Sequence, residues 1–311
     1  MTSSHRLSFI GALALGAAAL VSGAGLAETP PAGPANPERL GSFRNLDPGS
    51  LEKLSTPEHI MAITGGNVSP TEIWATLEHG ERVECTACVP AVAKLLYAES
   101  PVSREISAWW LRRRIFGVFG PGEVYQQTLG TLADPSQPER KRAYAAQALG
   151  EFLARAGVAP VAVAAVSDPS PLVRKTAVEA LQRLNNQGPN GELATVMSDA
   201  DEGVRLAALT AAIRVNVFTR VDAVAGLISD ESPLVRRRAA EALGVMRAKD
   251  AVVGLVALTS PATEPDARVR VAAVASLGKI RDPGGAAAVR AAQEDPDQFV
   301  RDAAKIAAQR L

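Results

Sequence analysis

Aromatic residues are scarce in this chain. Phe, Trp and Tyr make up 4% of its 311 residues although 47% are hydrophobic, so Ala, Val and Leu must supply any core. That composition suits thin helix-on-helix packing better than a thick mixed core. Neither sign of charge dominates, because 33 Lys and Arg face 33 Asp and Glu. A protein that works by neutralising phosphates needs a surplus of bases, so no nucleic-acid partner is expected. Two cysteines cannot build a disulfide-dense scaffold. The apolar content, in turn, excludes a disordered or collagen-like chain. Of three histidines, only His59 and His79 lie beyond the first few residues. A Ser-His-Asp or Cys-His centre would have to use one of them, and neither sits in a supporting motif. No Gly-rich phosphate loop is present either. The chain carries no catalytic constellation and reads as a non-enzyme.

The first 27 residues read as a secretory signal. Arg6 supplies the positive start, Leu7 to Leu26 is uncharged, and Gly25-Leu26-Ala27 offers small residues before Glu28. Export to the periplasm is expected, with secretion or an uncleaved anchor as lesser alternatives and no membrane span after cleavage. Removing Arg6 leaves 32 bases against 33 acids. Residues 28–56 hold Pro30, Pro31, Pro34, Pro37 and Pro48 and read as a linker. Ser69-Pro70-Thr71-Glu72 opens a helix with a capping box and a proline in its first turn, and Gly80 ends it. Ser100-Pro101 opens another, closed by Gly117. Residues 57–133 are assigned to an N-terminal helical capping region and 134–311 to an array of repeats.

The array declares itself by self-similarity. Val173-Arg174, Val204-Arg205, Val235-Arg236, Val269-Arg270 and Val300-Arg301 each open a near-identical helical segment, and Lys141-Arg142 opens a further copy. Ser103-Arg104 begins a divergent one. From Arg142 on, the arginines recur every 31 to 34 residues, while the step from Arg104 to Arg142 is 38. A period near 31 holds two short helices and two turns. Val173, Ala177, Leu181 and Leu184 fall on one helical stripe. Asp168, Asp199, Asp230 and Asp295 each precede an arginine by six residues. Such an Asp can cap the following helix, and the Arg can pair with an Asp of its own or the adjacent repeat. Repetition would make a ladder from Asp168, Arg174, Asp199, Arg205, Asp230, Arg236, Arg270, Asp295 and Arg301.

These segments resemble HEAT repeats, in particular the short type first described in phycobilisome chromophore lyases. The resemblance covers about residues 100–311 and rests on the Val-Arg-x-x-Ala pattern with its preceding acid. It implies an all-α, right-handed α-solenoid of about six or seven helical hairpins, with the Val-Arg helices on the concave side, and a scaffold or adaptor role. Lyase activity follows only by analogy of fold. The paired His-Glu motifs of HEAT-like metal enzymes are absent. An insertion at 259–266 is expected to displace the acidic turn and blur the ladder there. Outward positions on the Val-Arg helices, Lys175, Arg237, Arg238 and Glu241, are the expected partner-binding set.

The N-terminal end holds the remaining candidates. Cys85 and Cys88 form a C-x-x-C before Pro90, where a helix over 90–98 is expected. The pair reads as a structural disulfide, as a redox-active dithiol activated by the helix N-terminus, or as half of a zinc site with His59 and His79. Apart from that possible zinc, no cofactor is expected. Covalent haem is excluded because residue 89 is Val. Seven of the 13 aromatics lie between residues 74 and 125. Trp109 and Trp110, followed by Arg112, Arg113 and Arg114, either cap the open end of the stack or anchor a partner. The expected function is an interaction scaffold in the cell envelope. The alternative is a thiol-redox or zinc module that the solenoid presents to an electron-transfer or maturation partner.

Overall fold

Helices begin where the sequence supplies a cap, often with a proline behind it. The computed structural model describes residues 56–117, 120–185, 189–215 and 218–311. Residues 1–27, expected to be a secretory signal, all but the last residue of the 28–56 segment, and Phe119 lie outside the described residues. Helix α1 (Pro57–Ala62) is capped by Thr56, which accepts the His59 N–H at 3.2 Å. In α2 (Pro70–His79) Ser69 accepts the Glu72 N–H at 3.2 Å. Helix α3 (Cys88–Ala93) continues as a tight turn through Tyr97, and α4 (Pro101–Ile115) follows. The expected start of α3 at Pro90 is two residues late, because the Cys88 N–H already closes a turn onto Cys85 O at 3.1 Å. After α4 the strands β1 (Phe116–Gly117) and β2 (Gly120–Pro121) form a two-residue antiparallel hairpin. This hairpin lies within the stretched step between Arg104 and Arg142, so part of the surplus chain leaves as a turn.

Six helical hairpins follow among the described residues. They pair α5 (Glu123–Ala133) with α6 (Glu139–Phe152), α7 (Val158–Ser167) with α8 (Pro171–Leu184), and α9 (Asn190–Val196) with α10 (Glu202–Arg214). The others pair α11 (Val221–Gly226) with α12 (Pro233–Val245), α13 (Val252–Ala257) with α14 (Ala267–Ile280), and α15 (Ala286–Ala291) with α16 (Gln298–Ala308). The boundary drawn at 133/134 thus falls between the two helices of the first hairpin. Each Val-Arg helix from α6 to α16 stacks on the next, and α5, α7, α9 and α11 pack as a second layer. This is an all-α solenoid.

Small residues set the stacking distance. The stripe Val173, Ala177 and Leu181 is buried, as are Val235, Ala239 and Leu243 in α12. A Cβ placed on Gly150 would stand 2.8 Å from the Ala180 Cα of the next Val-Arg helix. The same holds for Gly278 against Ala307. Backbones that close leave no room for a ring, which accounts for the low aromatic content of the array.

Candidate functional site

Arginine joins each hairpin to the next. Arg174 donates from Nε and Nη2 to Asp199 at 2.6 and 2.8 Å, while Nη1 reaches its own turn at Asp168 O and Pro169 O, 2.9 and 3.2 Å away. Arg270 repeats the pattern with Asp295 at 2.9 Å for both donors and with Glu264 O and Pro265 O. Arg142 pairs with Asp168 and Arg205 with Asp230. The partner is therefore always in the following repeat. Each fork ties its own turn to its neighbour's, and the pairs are deeply buried: Arg270 and Asp295 side chains are 5% and 1% exposed. The hydrogen bond to the next carboxylate raises the pKa of all five ladder arginines, Arg142, Arg174, Arg205, Arg236 and Arg270. Burial pushes the Asp199, Glu264 and Asp295 carboxyls up, but the arginine and a backbone N–H outweigh it and hold them low.

Two expectations about the ladder are corrected. The ladder carboxylate does not cap the helix that follows. It accepts the N–H two residues on, as Asp199 does from Asp201 and Asp230 from Ser232, both at 2.9 Å. Asp201 and Ser232 are the caps proper. Nor does the 259–266 insertion break the ladder. Glu264 stands six residues before Arg270, accepts from Arg236 at 2.6 and 2.9 Å, and takes the Asp266 N–H at 2.9 Å. The longer side chain fills the place of Asp, and the signal for it, an acid six residues ahead, was in the sequence.

The ladder ends differently at each end. Arg104 keeps the inner half of the pattern, donating to Ala98 O and Glu99 O, but its outer edge meets Gln147 at 2.9 Å and lies 3.8 Å over the Tyr144 ring. Arg301 donates to Asp295 O and Pro296 O, and no carboxylate partner follows it among the described residues.

At the N-terminal end Cys85 and Cys88 form a disulfide, with both residues buried at 8% and 0% exposure. His59 and His79 are half-buried on α1 and α2. Among the described residues no three His, Cys, Asp or Glu side chains gather as metal ligands. Trp110 is fully buried and donates to Gly80 O at 2.9 Å, so it caps the stack rather than meeting a partner. Trp109 packs half-buried against the core. Of the three arginines, Arg114 is no solvated charge. It lies 3.6 Å over the Trp110 ring and donates to the carbonyls of Trp110, Gly80, Glu81 and Val83. Burial pulls its pKa down to about 10. Arg113 pairs with exposed Glu81 at 3.2 Å, and Arg112 is half-buried. Trp110 and Arg114 thus belong to the fold.

The Val-Arg helices carry the outward candidates. Lys175 is exposed on α8. On α12 Glu241 is bracketed by Arg237 at 3.6 Å and Arg238 at 3.1 Å. Two hollows open between these helices, one of about 470 Å³ along α4, α6 and α8, the other of about 540 Å³ along α12, α14 and α16. Sequence reasoning missed Glu151 in the first. Its side chain is 7% exposed and is held by Arg183, and burial lifts its pKa to about 7. No periodic signal marks it, since the corresponding residue of α8 is Arg183 itself.

A stack of helical hairpins joined rung by rung defines a repeat-solenoid protein. The HEAT-repeat family model matches residues 127–214, 190–263 and 221–309, and the chain belongs to that family. No curated protein sequence matches the chain. Among solved structures, Escherichia coli YibA is similar at 14% identity and a TM-score of 0.55, over 87% of this chain and 100% of that one. Kap95p, in its complex with RanGDP, is similar at 14% identity and a TM-score of 0.63, over 83% of this chain and 42% of that one. The CpcE–CpcF phycocyanin lyase of Nostoc is matched at 17% identity and a TM-score of 0.38, over 73% of this chain and 96% of that one. These likenesses concern the fold alone.

Proposed function

We propose that the protein is a non-enzymatic interaction scaffold of the cell envelope that binds protein partners on its Val-Arg face and at its N-terminal end. The observation that carries this is the row of closely stacked Val-Arg helices, fixed in register by buried ion pairs, with two hollows between them. A solenoid bends toward the layer whose helices approach most closely, and the glycine contacts at 150 and 278 lie in the Val-Arg layer, which favours that layer as the concave side. Lys175, Arg237, Arg238 and Glu241 stand on it. The leader-like first 27 residues and the disulfide both favour an oxidising compartment, the periplasm. Among the described residues no helix is long and apolar enough to cross a membrane.

The thiol or zinc alternative is the weaker reading, because both cysteine residues are buried and joined. An exposed thiolate is what attacks or ligates. Pull-down from the native envelope tests the scaffold. Charge reversal at Arg237 and Arg238 together is expected to reduce capture of partners, and unchanged capture overturns the assignment to that face.

A further inference from the structure

The hollow between α12, α14 and α16 differs from the one at α4–α8 in having an apolar wall open to solvent. Val271, Ala275 and Phe299 line it, and Phe299 is 75% exposed. A large exposed aromatic beside a concave apolar surface is a common feature of protein-binding sites.

The charges around the hollow are not evenly free. Each acid there is already engaged within the chain. Glu241 lies between Arg237 and Arg238, Asp266 is held by Arg268 at 2.9 Å, and Asp297 accepts the N–H groups of Phe299 and Val300 at 2.8 and 3.3 Å. One base is left over. Lys279 is exposed and forms no ion pair among the described residues. Arg237 is already spent on Glu241 at 3.6 Å, and its Nε is buried. An apolar wall flanked by an uncommitted cation is complementary to one kind of segment.

We propose that this hollow captures a peptide segment of a partner protein that carries a large apolar side chain beside a carboxylate. The apolar side chain packs on Phe299 and Val271, and a carboxylate is received by Lys279. The proposal rests on the scaffold reading and narrows it to one place and one chemistry.

Panning short random peptides displayed on phage against the full chain tests it. Enrichment of sequences that combine an aromatic or large aliphatic residue with Asp or Glu is expected. The synthetic peptides should lose at least about tenfold in affinity to Phe299→Ala and to Lys279→Glu. Phe299 is exposed, so its removal spares the core, and circular dichroism verifies the fold of each variant. Selection on the Lys279→Glu chain should turn toward basic sequences. Enrichment of basic sequences on the unaltered chain overturns the proposal, as does the absence of any enriched sequence. Peptides indifferent to Phe299→Ala and Lys279→Glu but lost on Lys175→Glu overturn the hollow while leaving a scaffold that binds elsewhere on the face. Failure of the unaltered chain to capture any envelope protein, with the peptide result intact, would instead count against the wider scaffold reading. A dimer in sedimentation that Phe299→Ala dissociates assigns the hollow to a second copy and overturns the proposal.

Discussion

Arg104 and Arg205 open copies of the same repeat pattern and both clamp their own preceding turn, yet they differ in what they meet beyond it. Arg205 reaches a buried Asp230, whereas Arg104 reaches Gln147 and the face of Tyr144. The difference extends to the surrounding helices. In the array, small side chains bring helices together and buried ion pairs fix their register. At the N-terminal end, Trp110 and Arg114 tie α4 to the end of α2 and the turn beyond it through a ring and backbone carbonyls, and a disulfide closes the turn into α3. An interior repeat is covered on both sides, so its neighbour can supply a carboxylate at a fixed place. The end of a stack has a neighbour on one side only and must close itself with bulk.

The largest effects should come from removing what is distinctive of each region. Asp230→Ala leaves the Arg205 guanidinium buried without its partner and is expected to cost about 3–5 kcal/mol. Trp110→Ala should cost a similar amount, about 3–5 kcal/mol, through cavity formation at the N-terminal end. Denaturant titration of both variants measures the losses, and a cost below about 1 kcal/mol for Asp230→Ala would remove the ladder from the account. Hydrogen exchange then separates the regions. Asp230→Ala should lower protection first in α10 and α12, and Trp110→Ala first in α2 and α4.

Smaller effects follow from packing and from pH. Gly278→Ala forces α14 and α16 apart and should cost about 1–3 kcal/mol, whereas Gly191→Ala, where a Cβ meets open space, should not destabilise. Two sets of carboxyls within the array also titrate in opposite senses. Asp199, Glu264 and Asp295 have lowered pKa values, so their contribution is present above the ordinary carboxylate range and is lost as pH falls through the folded values. Glu151 on α6 is raised to about 7, so its contribution is present below the ordinary glutamate value and is lost as pH rises through about 7. Glu151→Gln should therefore raise the melting temperature by a few degrees at alkaline pH and have less effect in mild acid. An equal shift at both would show that Glu151 is ionised throughout.

Periodicity made the array legible. The Val-Arg stripe, the acid six residues ahead and the small residues between them all follow from one repeated constraint, although spacing alone leaves open whether each Arg pairs within its own repeat or with the next. Glu264 departs from the Asp of the other repeats, although its spacing to Arg270 is intact. The N-terminal end was only partly legible. Nothing local tells that Trp110 turns inward while Arg114 gives up water for four carbonyls, because those carbonyls, at 80, 81, 83 and 110, come from two elements distant in sequence. Phe299 was missed for a different reason. It precedes Val300 where other repeats have Leu172 and Leu234, and the pattern alone gives no measure of exposure.

The central claim is that partners meet the Val-Arg face of the stack and not its other layer. Photo-crosslinking in the native envelope tests it most directly, with the reactive residue placed either at Lys175 or Arg237 on the Val-Arg helices or at Val253, which is 83% exposed on α13. Crosslinks to a partner from Lys175 and Arg237, with none from Val253, are the predicted result. Crosslinks from Val253 alone would contradict the account.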